Sequence, residues 1–233
     1  MKILVILIIL VILFAIARIF AEDKNTLETE AKNGNADAQY YLGMGYYYGA
    51  GVLPDYKQAV YWFTKAAEQG LAEAQHYVGY CYYNGQGIIQ DYEQAAYWWE
   101  QAAEQGLAEA QCCLGICYDK GKGVTQDYKQ AVYWYTKAAE QGNAQSQFNL
   151  GLCYDKGQGV TQDYKQAVYW FTKAAEQGNA QSQFNLGLCY DKGQGVTQDY
   201  KQAVYWFTKA AEQGYGEAQH NLTLTRYKEW ENF

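Results

Sequence analysis

The sequence predicts an all-α solenoid of five consecutive helix-turn-helix units of 36 residues, with a capping helix at each end. Three observations carry that expectation. The chain returns on itself every 36 residues from Asn35 onward, and such a period fixes an architecture before any finer reading. Apolar residues inside each unit recur at helical rather than strand spacing. Glycine and Asp/Gln pairs punctuate every unit at the same places, where helices are expected to begin and end.

Residues 1–21, MKILVILIILVILFAIARIFA, come first. Lys2 is a minimal positive region, and Ile3 to Ala17 is an unbroken apolar run of fifteen residues. That length sits at the upper edge of a signal-peptide core and below the roughly 20 residues of a membrane span. Ala15-Ile16-Ala17 fits a small-x-small cleavage site, with Ala21 as a second option. The segment reads as a signal peptide; extending the run past Arg18 to Ala21 gives a membrane anchor instead. No cysteine lies near it, which excludes a lipoprotein signal. Either reading puts the repeats outside the cytoplasm, in the periplasm or secreted, or anchored to a membrane through this segment alone.

Residues 22–34 follow as an N-terminal capping helix, because Leu27 to Gly34 matches only the tail of a second helix. The five units span 35–70, 71–106, 107–142, 143–178 and 179–214, and the last two are identical at all 36 positions. In the fourth unit, Ala144 to Lys156 forms the first helix, which Gly157-Gln158-Gly159 ends. Asp163 is the expected N-cap of the second helix, with Gln166 as its capping-box partner. Gly178 stands where a left-handed C-cap belongs. The same signals recur at Asp55/Gln58/Gly70, Asp91/Gln94/Gly106, Asp127/Gln130/Gly142 and Asp199/Gln202/Gly214. Residues 215–233 match only a first helix and form the C-terminal cap. A lone helix pair cannot bury its apolar face, so stacked neighbours must supply the missing surface.

These residues resemble the Sel1-like repeats, relatives of the tetratricopeptide repeats. The resemblance rests, in the fourth unit, on Leu150-Gly151, Tyr154, Gly157-x-Gly159-Val160, Asp163, Ala167, Tyr169-Trp170 and Ala174-Ala175-Glu176-Gln177-Gly178. It covers residues 35–233. It implies a right-handed superhelix whose concave face is made by the first helices. It also implies an adaptor role, such as those in host contact, protein quality control or bacterial envelope processes. Some bacterial relatives staple the two helices of a unit with disulfides. Here all six cysteines lie on first helices, so that pattern is absent.

Comparison of the units with one another separates scaffold from variable surface. On the first helix the fourth, fifth, eighth, ninth and twelfth positions are nearly fixed and share one face, which should pack. The third, sixth, seventh, tenth, thirteenth and fourteenth vary, share the other face, and should line the groove. Unit one offers Tyr40, Tyr41, Met44, Tyr47 and Tyr48 there; unit two offers His76, Tyr77, Tyr80 and Tyr83. Tyrosine supplies a large contact area with a polar tip at low entropic cost. These nine residues are therefore the expected site for a partner protein, with packing against neighbouring helices as the competing role. The invariant Tyr61-Trp62, Tyr97-Trp98, Tyr133-Trp134, Tyr169-Trp170 and Tyr205-Trp206 pairs are expected in the core.

Chemistry is poorly represented. The chain carries a net charge of −7, and the part after the leader has 16 basic against 25 acidic side chains. Nucleic acid needs clustered Lys and Arg and is not an expected partner. Cys81, Cys117, Cys153 and Cys189 recur one per unit; equivalent points on stacked pairs lie about 10 Å apart, beyond the roughly 7 Å reach of a disulfide. No CxxC spacing supports zinc. His76 and His220 stand four units apart, too far to share a metal or catalytic site. Ser146 and Ser182 begin no S-x-x-K motif. Gly157-Gln158-Gly159 lacks the lysine of a phosphate loop, and Asp163 follows where an anion would sit. Asp155-Lys156-Gly157 lacks the ligand oxygens of a calcium loop. No catalytic residue, metal or cofactor is expected. The function predicted is a non-catalytic interaction scaffold, with a self-associating envelope spacer or a regulator of an envelope enzyme as alternatives.

Overall fold

The computed structural model describes residues 25–231. The segment 1–21, read as signal peptide or anchor, lies outside the described residues. Among the described residues there are twelve helices and no strand, and no helix is long and apolar enough to cross a membrane. The chain divides into two compact units, one ending at Gln126 and the other beginning at Asp127.

The first unit holds α1 (25–32), α2 (Ala36–Tyr48), α3 (Tyr56–Glu68), α4 (Ala72–Asn84), α5 (Tyr92–Glu104) and α6 (Ala108–Lys120). The second holds α7 (Tyr128–Glu140), α8 (Ala144–Lys156), α9 (Tyr164–Glu176), α10 (Ala180–Lys192), α11 (Tyr200–Glu212) and α12 (Gly216–Glu231). Consecutive helices from α2 to α6 pack on one another in the first unit, and those from α7 to α12 do so in the second. Of the end helices, α1 buries Leu27 and Ala31, and α12 packs on α11.

Local chemistry sets the helix limits. Asp55, Asp91, Asp127 and Asp163 each accept hydrogen bonds from two backbone N–H groups of the first turn of α3, α5, α7 and α9. Those groups would otherwise be orphaned at the helix start. The capping box is only half made. The N–H groups of Asp55, Asp91, Asp163 and Asp199 donate to the Tyr46, Tyr82, Tyr154 and Tyr190 carbonyls of the preceding first helix, not to the glutamine side chains. This ties the start of each second helix to the end of its first. Gly178, like its counterparts, adopts a positive φ just past the second helix, as expected of a left-handed cap.

Two glycines of each unit have distinct duties. Gly151 lies inside α8, where an added Cβ would fall 2.6 Å from the Phe171 ring. Gly43 and Gly187 meet Phe63 and Phe207 in the same way, and Gly79 meets Trp99. The Gly-x-Gly loop then closes on the repeat before it. At Gly159 a Cβ would lie 2.2 Å from the Tyr128 carbonyl oxygen at the start of α7. The motif is a repeat junction, where only hydrogen fits.

The fixed face of the first helices packs as expected. Ala38, Gln39, Leu42 and Gly43 are buried, as are Ser146, Gln147, Leu150 and Gly151. Its glutamines form a polar ladder. Gln39, Gln75, Gln111, Gln147 and Gln183 each donate to the carbonyl of the alanine eight residues earlier, at the end of the preceding second helix, at 2.9–3.2 Å. A buried amide is tolerated because both its ends are bonded.

Candidate protein-binding face

The nine tyrosine-face residues separate into three groups by exposure. Tyr41, Tyr48 and Tyr80 are exposed, at 40, 42 and 41 %. Tyr40, Tyr47, Tyr77, Tyr83 and His76 are half-buried. Met44 is buried, with only 4 % of its surface exposed, and belongs to the core of the first unit. It offers no surface to a partner in this conformation, which corrects its place among the expected contact residues. An apolar side chain midway along α2 gains more from that core than from the groove.

The half-buried rings brace Tyr41 and Tyr48. Tyr77 stacks on Phe63 with centroids 4.9 Å apart, and touches Tyr40 and Tyr47 at 5.9 and 5.8 Å. Tyr41 leans on Tyr40, and Tyr48 meets Tyr47 edge-on at 4.9 Å. The hydroxyls of Tyr48 and Tyr77 are hydrogen-bonded at 3.2 Å, and Tyr47 donates to Gln86 Oε1 at 2.8 Å. Tyr83 joins a second group with Tyr92 and Trp99. Lys122 lies over the Tyr83 and Tyr92 rings and donates to the Tyr83 hydroxyl at 3.2 Å. Burial pushes the Tyr40, Tyr47 and Tyr77 phenols well above their ordinary range, so they stay neutral donors. The sequence pattern marks one face; the structure makes part of it a rigid floor and part of it free surface.

His76 donates nothing through its buried Nδ1, which has no hydrogen-bond partner. Burial lowers its pKa, with Glu109 opposing the shift. The Trp99 Nε1 group donates to the His76 carbonyl at 3.1 Å, so the backbone here is fixed from α5.

In the invariant Tyr-Trp ladder the tyrosines depart from expectation, whereas Trp134 is buried and Trp62, Trp98 and Trp206 pack against the core. Tyr61, Tyr97, Tyr133, Tyr169 and Tyr205 are about half exposed, at 48–51 %. Each sits edge-on against its neighbouring tryptophan, as at Tyr61 and Trp62, 4.9 Å apart. Lys137, Lys173 and Lys209 cover the Tyr133, Tyr169 and Tyr205 rings. Invariance along this chain reflects copied units, and a copied surface residue varies as little as a copied core residue.

Sequence reasoning also passed over three carboxylates. Asp37, Glu73 and Glu109 fill the third, variable position of α2, α4 and α6, and all three are exposed. The signal was their replacement by Gln145 and Gln181 in the two identical units. Leu53 and Ile89, on the loops before α3 and α5, are 87 and 88 % exposed. Thr125, Thr161 and Thr197 take that place later in the chain.

The remaining chemistry is quiet. All six cysteines are free thiols, and Cys81, Cys117 and Cys189 are pushed up to about 12 by burial. A thiolate, the reactive form, is therefore scarce at neutral pH. Among the described residues no group of three or more His, Cys, Asp or Glu side chains is placed to hold a metal ion. An open cleft of about 830 Å³ is lined by Gln90, Asp91, Tyr92, Glu93 and the loop from Gly121 to Thr125.

The repeats match known proteins throughout. The Sel1 repeat is found five times, at residues 36–71, 72–107, 108–143, 144–179 and 180–215. Among solved structures, a protective antigen present in uropathogenic Escherichia coli strains, which displays an SLR fold, is 42 % identical with a TM-score of 0.83. The match covers 87 % of this chain and 43 % of that one. A Sel1 repeat protein from Oxalobacter formigenes is 34 % identical with a TM-score of 0.78, over 88 % of this chain and 84 % of that one. The ERAD-associated E3 ubiquitin-protein ligase component HRD3A of Arabidopsis thaliana is 44 % identical over 48 residues, 20 % of this chain and only 7 % of HRD3A. The chain thus spans less than half the length of the E. coli antigen and a small part of HRD3A. Sel1 repeat proteins generally mediate protein–protein interactions and are typically non-catalytic scaffolds. The five matched repeats and the all-helical units of 36 residues place this chain in the Sel1 repeat family.

Proposed function

We propose that this chain is a non-catalytic scaffold, exported from the cytoplasm, that holds a partner protein on the first-helix face of its first two repeats. The observation that carries the reading is the exposure of Tyr41 and Tyr48 against a braced aromatic floor, with Tyr80 exposed on the same variable face. Aromatic side chains that are already held lose little entropy on binding, which is the property of an anchor residue. The export reading rests on the apolar run Ile3 to Ala17 between Lys2 and Arg18. It places the repeats in the periplasm or outside the cell, tethered if the segment is retained.

The test is crosslinked capture from a native envelope extract with the full chain, beside a Tyr41→Ala/Tyr48→Ala/Tyr80→Ala variant. These exposed positions can be changed without opening the core, and circular dichroism checks that the variant folds. One defined partner held by the wild type and lost by the variant supports the reading. Equal capture by both moves the site off this face. N-terminal sequencing of the envelope-associated protein tests export and cleavage.

A second reading, self-association as an envelope spacer, draws on Leu53 and Ile89. Two apolar tips in equivalent loops are natural points of contact between copies. Light scattering of the wild type and of Leu53→Thr/Ile89→Thr over a range of concentrations decides it. A wild-type mass that rises with concentration, and does not rise in the variant, favours the spacer.

A further inference from the structure

The tyrosine face is ringed by negative charge that the protein does not neutralise. Asp37, Glu73 and Glu109 repeat at 36-residue intervals in the first turns of α2, α4 and α6. All three side chains are exposed, and none takes part in the ion pairs within residues 25–126. Neither α2 nor α4 contains a Lys or Arg, and the lysine of α6, Lys120, is paired with Asp119 at 2.8 Å.

Two of these carboxylates act on the face itself. Glu73 is the charge that adds to burial in raising the Tyr40 phenol, and Glu109 plays the matching part toward His76. Glu73 and Glu109 therefore look across to Tyr40 and His76, the sixth-position side chains of the repeat before each. The exposed rings of Tyr41, Tyr48 and Tyr80 lie on the same variable face.

A structural role in the helix start does not account for the three acids. A carboxylate in a first turn does favour the helix dipole. However, α8 and α10 carry Gln145 and Gln181 at this position and form helices of the same 13 residues. The acid is dispensable for the helix; it stands in the first three repeats, gives way to glutamine in the next two, and recurs only at Glu217 of the end helix α12.

We infer that the partner segment held by this face presents Lys or Arg side chains, seated on the exposed tyrosine rings and within reach of Asp37, Glu73 and Glu109. The inference rests on the scaffold reading above and names the chemistry of its partner. A cation is attracted to the face of an aromatic ring, and a carboxylate beside the ring adds to the attraction. The protein already makes this contact with its own side chains: Lys122 over Tyr83 and Tyr92, Lys137 over Tyr133, and Lys173 over Tyr169. A segment with clustered Asp or Glu would meet repulsion along the whole row.

The test uses a phage-displayed random dodecapeptide library, panned on the full chain in non-ionic detergent. Two variants are carried beside it: Asp37→Asn/Glu73→Gln/Glu109→Gln, and Tyr41→Ala/Tyr48→Ala/Tyr80→Ala. The expected result is Lys and Arg enriched in the selected peptides. A representative peptide then binds the carboxamide variant about tenfold more weakly, as the loss of three exposed charge contacts implies. The same peptide weakens as salt is raised, and the tyrosine variant loses it. Selected peptides without Lys/Arg enrichment, or with unchanged affinity for the carboxamide variant, overturn the inference. If the tyrosine variant still loses those peptides, the binding face itself stands. Peptides that bind the tyrosine variant as well as the wild type, or no selection on the wild type, overturn the face and the inference together.

Discussion

Gln177 Nε2 donates to Gln147 Oε1 at 2.7 Å, and Gln147 Nε2 donates to the Ala139 carbonyl at 3.0 Å. One amide thereby joins α7, α8 and α9. The pattern returns at Gln69–Gln39, Gln105–Gln75 and Gln213–Gln183, at 2.7–2.8 Å. Gln147 is only 3 % exposed, whereas Gln177 is exposed. Replacing Gln147 with Ala opens a hole and strands the Ala139 carbonyl, at a cost of about 3 kcal/mol. Gln177→Ala removes the bonds of an exposed amide to Gln147 Oε1 and to the Gly142 carbonyl, and costs about 1 kcal/mol. Urea unfolding of the two variants orders them; equal midpoints would mean that the ladder is not a structural joint.

Two positive-φ glycines, Gly142 at the end of the third repeat and Gly159 in the loop of the fourth, should respond unequally to the same change. At Gly142, φ is +93° and nothing lies within 4 Å of an added Cβ, so Gly142→Ala costs only backbone strain, about 1 kcal/mol. Gly159→Ala adds a collision with the Tyr128 carbonyl oxygen, which belongs to a helix start and cannot turn away. A loss of about 3 kcal/mol or more is expected there. Thermal unfolding measures both, and similar Tm losses would remove the junction role of the second loop glycine.

His76 makes the stability of the first unit pH-dependent. Its folded pKa is below the ordinary value of 6.5 because burial disfavours the imidazolium. As pH falls through that ordinary value, the unfolded chain takes up a proton that the folded chain does not. Folding is favoured above it and loses this contribution below it. His76→Phe copies the residue found at Phe148 and Phe184. The Tm difference between variant and wild type should therefore grow in the variant's favour from pH 7.5 to pH 5, as checked by calorimetry at both values. A constant difference would show that the ring is solvated.

The thiols should be silent in the native state. Cys81, Cys117 and Cys189 are held to about 12 by burial, and Cys113 is raised well above its ordinary range. An aromatic disulfide reagent at neutral pH should release no chromophore until denaturant is added. Fast reaction of one equivalent would identify an opening motion.

Two aspartates in identical sequence should behave differently. Asp191 accepts from Thr225 Oγ1 at 3.0 Å and from Lys228 Nζ at 2.7 Å, both on α12, and is 9 % exposed. Asp155 holds the same place one repeat earlier and is half-buried. Asp191→Asn should cost about 1 kcal/mol, a value reduced by the exposure of Lys228. Asp155→Asn should be near neutral. Matching urea midpoints would detach α12 from this contact.

Those two aspartates also mark the limit of what the sequence by itself determined. The period, the Asp caps and the glycine stops gave the helix boundaries, because each is a contact within a few residues that neighbouring chemistry dictates. The match of α8 to Ala144–Lys156 and of α9 to a start just after Asp163 shows how local that information is. The packed face of the first helices was legible for the same reason, through its spacing. Burial on the other face was not. Tyr40 and Tyr41 are adjacent, yet one braces Phe63 and Tyr77 while the other is open to solvent. Tyr61 is invariant among the repeats and half exposed, whereas Phe63, replaced by Trp99 and Tyr135 in the next two repeats, is fully buried. The same 36 residues leave Asp155 half-buried and cover Asp191, because burial depends on which helix comes to lie alongside, and that neighbour is supplied by the next stretch of chain.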